Sequence, residues 1–281
     1  MTDANTIREQ QQDLWNGTSG KAWVDAQSIM DAMFEQAAHH LAGFVAAQTP
    51  KNVLDVGCGT GAVTLAAANA IEDGGACTGI DISQPMLALA RERAAQQDAN
   101  ATFINADAET HDFGDQKFDT IISRFGVMFF GDPVAAFRNL RSATAPSAKM
   151  CVLAWRAPDE NPFMTTGTRA AREFLPDMPR RDTSGPGQFG FADKAFVTDI
   201  LEQSGWKYIE IMPLDIDCAF PASELDKFLT RLGPLGQLLK DEDPARRDEI
   251  MRSVKDAYSH FIDGDTVRYT AACWQIVASN A

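Results

Sequence analysis

Three aspartates stand where apolar runs of the chain give out, and a glycine-rich turn lies beside the first of them. Asp55 falls in Val53-Leu54-Asp55-Val56-Gly57-Cys58-Gly59-Thr60-Gly61. Asp81 falls in Cys77-Thr78-Gly79-Ile80-Asp81-Ile82-Ser83, and Asp107 in Ala101-Thr102-Phe103-Ile104-Asn105-Ala106-Asp107-Ala108-Glu109. The first run is apolar and β-branched, as a strand covered on both faces should be. Its glycines let the backbone turn tightly and approach a ligand with no Cβ in the way. A strand, such a turn and a helix from Ala62 to Ile71 can hold a nucleotide-like molecule at the carboxyl end of a parallel sheet.

The spacing selects among such molecules. A dinucleotide fingerprint reads G-x-G-x-x-G, with its amides and helix N-terminus facing a pyrophosphate. Here Gly61 comes one residue early, and Asp55 precedes Gly57 by two. A carboxylate there repels a pyrophosphate and suits an ammonium group, such as the one S-adenosylmethionine carries beside its sulfonium. Asp81 has two readings: acceptor for both ribose hydroxyls of an adenosine, or, with Ser83, cap of the helix Gln84–Gln97. The ribose reading is preferred because Ser83 is free to cap. Asp107 reads as acceptor for the adenine amine, with the Ala108 amide at a ring nitrogen, or as a solvated loop acid. Lys117–Phe125 is a fourth strand that opens onto an aromatic loop.

VLDVGCGTG, GIDIS, NADAE and FDTIISRFGVMFF, in this order and spacing, resemble the class I S-adenosylmethionine-dependent methyltransferases. The resemblance is closest to the small-molecule branch that includes the ubiquinone and menaquinone C-methyltransferases. It covers residues 50–156 best. The helix from Asp132-Pro133 to Leu140-Arg141 and a fifth strand, Ala148–Trp155, also fit, although the turn Ala145-Pro146-Ser147-Ala148 lacks the family's glycines. The resemblance implies an α/β fold: a doubly wound, seven-stranded, mostly parallel Rossmann-like sheet. Its last strand would be antiparallel and inserted between the fifth and sixth. The candidate cofactor contacts are Asp55, Gly57, Cys58, Gly59, Gly61, Asp81, Ile82, Met86, Asp107, Ala108, Glu109 and Ser123.

The chain of 281 residues reads as one domain with N-terminal helices and helical lid insertions. Residues 1–48 form a helical cap, with helices over Ile7–Trp15 and Val24–Ala47 and a break at Gly17-Thr18-Ser19-Gly20. Residues 50–156 form the cofactor-binding core, in which strands alternate with helices. In 157–192 the alternation stops. Ala157–Phe163 reads as a loop and Ala170–Leu175 as a helix, and so long an interruption suggests a lid. Residues 193–281 complete the sheet through a helix Asp193–Ser204, a sixth strand Trp206–Met212 and a final strand Thr266–Ala278. They carry a helical insertion at 221–262, with helices Pro221–Leu239 and Pro244–Phe261.

A formal net charge of −14 disfavours nucleic acid as a partner. Arg180-Arg181 and Arg246-Arg247 are only short basic pairs. No apolar run reaches bilayer length, and Met1-Thr2-Asp3-Ala4-Asn5 has no secretion-signal pattern. The five cysteines are scattered, with no metal-binding or disulfide spacing. The expectation is a cytoplasmic enzyme with a small-molecule acceptor, without a metal, a nucleic-acid partner or a membrane partner.

A sulfonium methyl group is intrinsically reactive, so the protein must align an acceptor and exclude water. A base is needed only where the acceptor must lose a proton. His39, His40, His111 and His260 stand in no recognisable dyad, and each reads as a surface or packing residue. Arg124 reads as a partner for an acidic acceptor, for the cofactor carboxylate, or for a structural ion pair. Arg124 and Phe129 are the candidate catalytic positions, acting by placement. Trp15, Trp23, Phe129, Trp155 and Phe163 are candidates for an apolar, enclosed acceptor pocket, with the tryptophan faces available to a cation or serving as anchors for the helical cap. A nicotinamide-dependent oxidoreductase and a non-catalytic cofactor-binding scaffold are the rival readings.

Overall fold

The computed structural model describes residues 3–71, 74–178, 185–232, 235–239 and 242–281. Four helices come first: α1 (Ala4–Asn16), α2 (Thr18–Asp25), α3 (Gln27–Met33) and α4 (Glu35–Gln48). This corrects the two-helix expectation. Only Gly17 separates α1 from α2, and the segment read as one helix breaks at Ala26 and again at Phe34. Both junction residues are buried, as are Ile29, Met30 and Met33. The Phe34 ring meets Phe125 and Trp155 edge-on, at centroid distances of 5.3 and 5.9 Å. Helix propensity is a weak prior that packing of this kind overrides.

Strands and helices then alternate: β1 (Asn52–Val56), α5 (Ala62–Ala70), β2 (Ala76–Asp81), α6 (Gln84–Gln96), β3 (Ala101–Asn105), β4 (Phe118–Arg124), α7 (Pro133–Ser142) and β5 (Thr144–Trp155). After them come α8 (Pro162–Ala171), α9 (Lys194–Gln203), β6 (Lys207–Pro221), α10 (Leu225–Lys227), a π-helical turn Phe228–Leu232, α11 (Leu235–Leu238), α12 (Pro244–Ala257), β7 (Ile262–Asp263) and β8 (Thr266–Ser279).

The sheet order is β3-β2-β1-β4-β5-β8-β6, with β7 pairing to β8 alone. The first five strands are parallel, and β8 runs antiparallel to both β5 and β6. The doubly wound, mostly parallel sheet with its inserted last strand is therefore as expected, with a two-residue eighth strand added. From β1 the chain winds outward to β2 and β3 on one side, then crosses to β4 on the other. The crevice at this switch point, at the carboxyl ends of the strands, is where ligands of such sheets bind.

Several boundaries differ from expectation. β5 begins at Thr144, so the expected turn Ala145–Ala148 is strand, with Ser147 at φ 65° and its amide bonded to the Asn280 carbonyl at 2.6 Å. β6 runs to Pro221 because β8 pairs with it along that whole length. The helix expected over Ala170–Leu175 is not formed: residues 172–174 are a turn that follows α8, which starts at Pro162 and ends at Ala171. Asn161 anchors it, exchanging hydrogen bonds with the Ala272 backbone at 3.0 and 2.9 Å. The helix expected over Pro221–Leu239 is a series of short turns. Residues 179–184 of the expected lid, including Arg180-Arg181, lie outside the described residues, as do 233–234 and 240–241 of the helical insertion.

Candidate active site

The glycine turn after β1 is closed by its own hydrogen bonds. The Gly57 and Cys58 amides both donate to the Ile80 carbonyl, at 2.8 and 3.2 Å. The Gly59 amide donates to Asp81 Oδ2 at 2.7 Å, and the Gly61 amide to the Cys58 carbonyl at 3.0 Å. Positive φ at Gly57 (67°) and Gly59 (55°) makes this folding possible. A pyrophosphate would find these four amides already spent.

Asp55, at the end of β1, is 1% exposed. Its Oδ2 accepts from Thr64 Oγ1 at 2.7 Å. Burial pushes its carboxyl up to about 7, against the opposing pull of Thr64 and the Arg124 charge. Asp81, also buried, accepts from the Ser83 amide through Oδ1 at 2.8 Å and so joins the glycine turn to the start of α6. Burial raises its pKa as well. Asp107 holds the Glu109 amide at 2.9 Å through Oδ1.

Ser83 does not cap α6 with its side chain, which corrects the expectation. Its hydroxyl donates to the Trp15 carbonyl at 2.6 Å. The Gln84 amide is instead taken by Asn16 Oδ1 at 2.9 Å, while Asn16 Nδ2 donates to the Ile82 carbonyl at 3.0 Å. The last residue of α1 thus caps α6 across the fold. Glu109 is a second tie to the helical cap. It is buried and holds Arg8 Nη1 at 2.6 Å and the Gly131 amide at 2.8 Å. Glu109 thus supports the cavity wall that it also lines, and Oε1, which holds Arg8 alone, keeps acceptor capacity.

A cavity of about 510 Å³ opens at these strand ends. Asp55, Gly57, Cys58, Gly59, Asp81, Ile82, Met86, Asp107, Ala108 and Glu109 line it, as do Arg124, Phe129, Trp15, Trp23 and Trp155. Three expected site residues do not, and their direct roles are corrected. Gly61 opens α5 at φ 84°, where a Cβ would stand 3.0 Å from that of Ala90. Ser123 is buried behind the wall, donating to the Val56 carbonyl at 2.7 Å and accepting from the Gly126 amide at 3.2 Å. Phe163 stacks on Tyr269 at 3.8 Å, within an aromatic core that includes Phe228 and Tyr258.

The cavity also has walls that the sequence reading missed. α3 and its junction supply Met30, Met33 and Phe34. The insertion after β6 supplies Phe228, Leu229, Leu232, Leu235 and Tyr258. The apolar residues of the first group were visible as helix periodicity but carried no sign of facing a ligand. The second group sits around a π-helical turn, a feature frequent at functional sites that no residue pattern announces. From the 157–192 segment, Met164, Gly167, Thr168 and Gln188 reach the cavity.

No histidine lines the cavity. His111 packs edge-on against Phe113 at 4.7 Å, and His40 meets Gln275 Oε1 at 2.5 Å. All five cysteines are buried as free thiols, and burial leads the upward shift of each. Among the described residues no group of three or more His, Cys, Asp or Glu side chains is placed to hold a metal ion, and no helix is long and apolar enough to cross a membrane.

Residues 53–147, the strands and turns that carry the three aspartates, match the family model described as a methyltransferase domain. That segment of the chain is similar to methyltransferase domains. A demethylmenaquinone methyltransferase from Thermus thermophilus is 33% identical over 116 residues, which is 41% of this chain and 52% of that protein. The chain thus spans about half the length of this curated relative. Among solved structures, a putative methyltransferase from Bacillus halodurans gives a TM-score of 0.57 at 18% identity, over 86% of this chain and 98% of that one. Magnesium protoporphyrin IX methyltransferase from Synechocystis with bound SAH gives 0.55 at 20% identity, over 75% and 93%. These likenesses establish the fold. The walls contributed by the N-terminal helices and by the turns after β6 lie outside the matched segment.

Proposed function

We propose that this protein is an S-adenosylmethionine-dependent methyltransferase acting on a small molecule held in the enclosed, partly aromatic cavity. One observation carries the reading. Three carboxylates from consecutive strand ends converge on one cavity, while the amides of the glycine turn are bonded inward. That arrangement favours a ligand with a cationic amino group and a diol over one with a pyrophosphate, and so disfavours a nicotinamide dinucleotide. The demethylmenaquinone methyltransferase similarity points the same way.

When bound, S-adenosylmethionine supplies a methyl group on a positively charged sulfur, open to attack by a nucleophile in line with the carbon–sulfur bond. The residues of this chain do the rest. In this reading Asp55 pairs with the ammonium, and pairing favours its ionised form against the burial that raises its pKa. Each Asp81 oxygen holds one backbone amide and can still accept from a ribose hydroxyl. In this reading Asp107 and the Ala108 amide, both lining the cavity, take the adenine edge. Phe129, Trp15, Trp23 and Trp155 shape the acceptor side and exclude water, which leaves alignment as the main source of rate.

The test is direct. Isothermal titration of the protein with S-adenosylhomocysteine and with NADH should give micromolar affinity for the first and none for the second. Radiolabelled cofactor incubated with small-molecule extracts should then yield a labelled product of low mass. Failure of S-adenosylhomocysteine to bind would remove both the catalytic reading and that of a cofactor-binding scaffold. Binding with no labelled product from any extract would favour the scaffold.

A further inference from the structure

Arg124 ends β4, on the side of β1 away from β2 and β3. The aspartates assigned to the adenosine lie toward β2 and β3, so Arg124 stands on the opposite side of the cavity from them. It lines that cavity, and among the described residues Arg8 is the other cation that does so. Arg8 is already committed to Glu109 and Asn5. No described carboxylate lies within ion-pair distance of Arg124, and its Nη1 is buried without a hydrogen-bond partner. Asp31 exerts the largest favourable charge effect on it. Yet Asp31 Oδ2 is taken by Arg93 and Gln27, each at 2.5 Å, and Oδ1 is itself buried and unpaired. Asp55 is held by Thr64 and lies where the cofactor ammonium would compete for it.

A guanidinium stripped of water with donors left over is costly unless something completes its shell. The Phe34 ring offers it an aromatic face, with Cζ lying 5.5 Å from the ring centroid. Met30, Met33, Trp155 and Leu229 are apolar residues that line the same cavity. Such a site suits a ligand with an apolar body and one anionic oxygen, because the arginine fork matches carboxylate geometry and gives charge-assisted hydrogen bonds.

We propose that Arg124 is the recognition residue for the methyl acceptor, and that the acceptor is an apolar molecule bearing an anionic oxygen: a carboxylate, phenolate or enolate. This rests on the methyl-transfer reading above. The competing assignment is that Arg124 holds the carboxylate of the cofactor itself.

The experiment is calorimetry on the full chain saturated with S-adenosylhomocysteine, using 2-naphthoate and 2-naphthamide as probes that share a body and differ in charge. The natural protein should prefer naphthoate by at least about tenfold, the scale of one charged hydrogen bond. Arg124→Met should abolish that preference, Arg124→Lys should keep part of it, and both should retain the S-adenosylhomocysteine affinity. No preference in the natural protein, or a preference that survives in Arg124→Met, would overturn the proposal. So would a loss of S-adenosylhomocysteine affinity in Arg124→Met with 5′-methylthioadenosine unaffected, since that ligand lacks the carboxylate. If Arg124→Met does not fold, the preference in the natural protein and its partial retention in Arg124→Lys decide the matter. S-adenosylhomocysteine failing to bind the natural protein takes down both readings. Its binding without a naphthoate preference takes down this one alone.

Discussion

Gly57 and Gly126 pack backbone against backbone. A Cβ on Gly57 would stand 2.6 Å from the Gly126 Cα, and one on Gly126 would stand 2.8 Å from the Gly57 Cα and 2.5 Å from the Val56 carbonyl oxygen. The turn after β1 and the loop after β4 therefore set each other's position, with Ser123 Oγ bonding to both. Gly126 has φ −81° and ψ −35°, which alanine adopts freely, so Gly126→Ala tests the contact alone. We expect a loss of about 1–3 kcal/mol, the usual cost of overpacking, together with weaker S-adenosylhomocysteine binding. Thermal melts and titration check both. An unchanged melt would show that the two loops can part at little cost.

Asp55 leads to a prediction with two opposite signs. Its pKa in the folded protein is raised from 3.8 to about 7. The folded state then binds the proton more tightly than the unfolded state, so the ligand-free protein should lose stability as pH rises from about 4 to about 7. Asp55→Asn should therefore melt higher than the natural protein at pH 8, by on the order of a few kcal/mol at most. Cofactor affinity should run the other way. An ammonium needs the ionised carboxylate, so affinity should fall about tenfold per pH unit below about 7 and level off above it. In Asp55→Asn it should be low at every pH. A natural protein whose affinity is flat from pH 5.5 to 8 would remove Asp55 from the ammonium site.

Asp81 is a fastener as well as a candidate ribose acceptor. Asp81→Ala deprives the Gly59 and Ser83 amides of their partner. Leaving a buried donor unsatisfied costs about 1–3 kcal/mol, so this variant should lose both melting temperature and at least about tenfold in S-adenosylhomocysteine affinity. To separate the roles, 5′-deoxy and 2′,3′-dideoxy adenosine ligands should be titrated into the natural protein. Equal affinities for the two would leave Asp81 a structural residue.

The helical cap is tied down at few points. α1 buries none of its residues. It is held by Arg8 on Glu109, by Asn16 on Ile82 and Gln84, and by the Trp15 carbonyl on Ser83. Segments with few buried contacts are drawn from the less stable end of a structure and suit closing motions. Residues 3–25, where α1 and α2 bury only Gly20, should therefore gain hydrogen-exchange protection when S-adenosylhomocysteine binds, and Met164, Gly167, Thr168 and Gln188 should gain it because they line the cavity. Asn16→Ala should lower that gain. Identical exchange with and without ligand would mean a rigid, open site.

What was legible in the sequence followed from how local the cause was. The β1–α5 junction could be read because the positive φ angles and the close approach demand glycines, and the strand before it is apolar throughout. Asp81 and Asp107 could be placed because strand ends fix them. The division of residues 24–47 was not legible, because Phe34 breaks the helix in order to reach Phe125 and Trp155, which lie far off in sequence. The length of β6 was set by β8, again a distant partner. α8 is different. Asn161-Pro162 is a helix-start signal that was passed over in favour of a loop. The aromatic Phe163, read as a pocket residue, turned inward because Tyr269 offers it a full ring face.

Catalysis should rest on placement, with no histidine indispensable. None of the four lines the cavity. His39→Ala, His40→Ala, His111→Ala and His260→Ala should each keep turnover within about tenfold, below what a general base contributes. Trp15 is the contrasting case. Its ring stands edge-on to Phe129 at 5.5 Å and to Trp23 at 5.8 Å, so it couples the helical cap to the loop after β4. Truncating it leaves Phe129 unsupported at the mouth of the cavity, and small misplacements of an acceptor can cost about a hundredfold in rate. Trp15→Ala should therefore lower kcat far more than S-adenosylhomocysteine affinity. Single-turnover rates with labelled cofactor and the acceptor found in the extract screen would measure this. A thousandfold loss on replacing any one histidine, with cofactor affinity intact, would refute placement as the main source of rate. It would instead mean that the acceptor must give up a proton to that side chain before the methyl group can move.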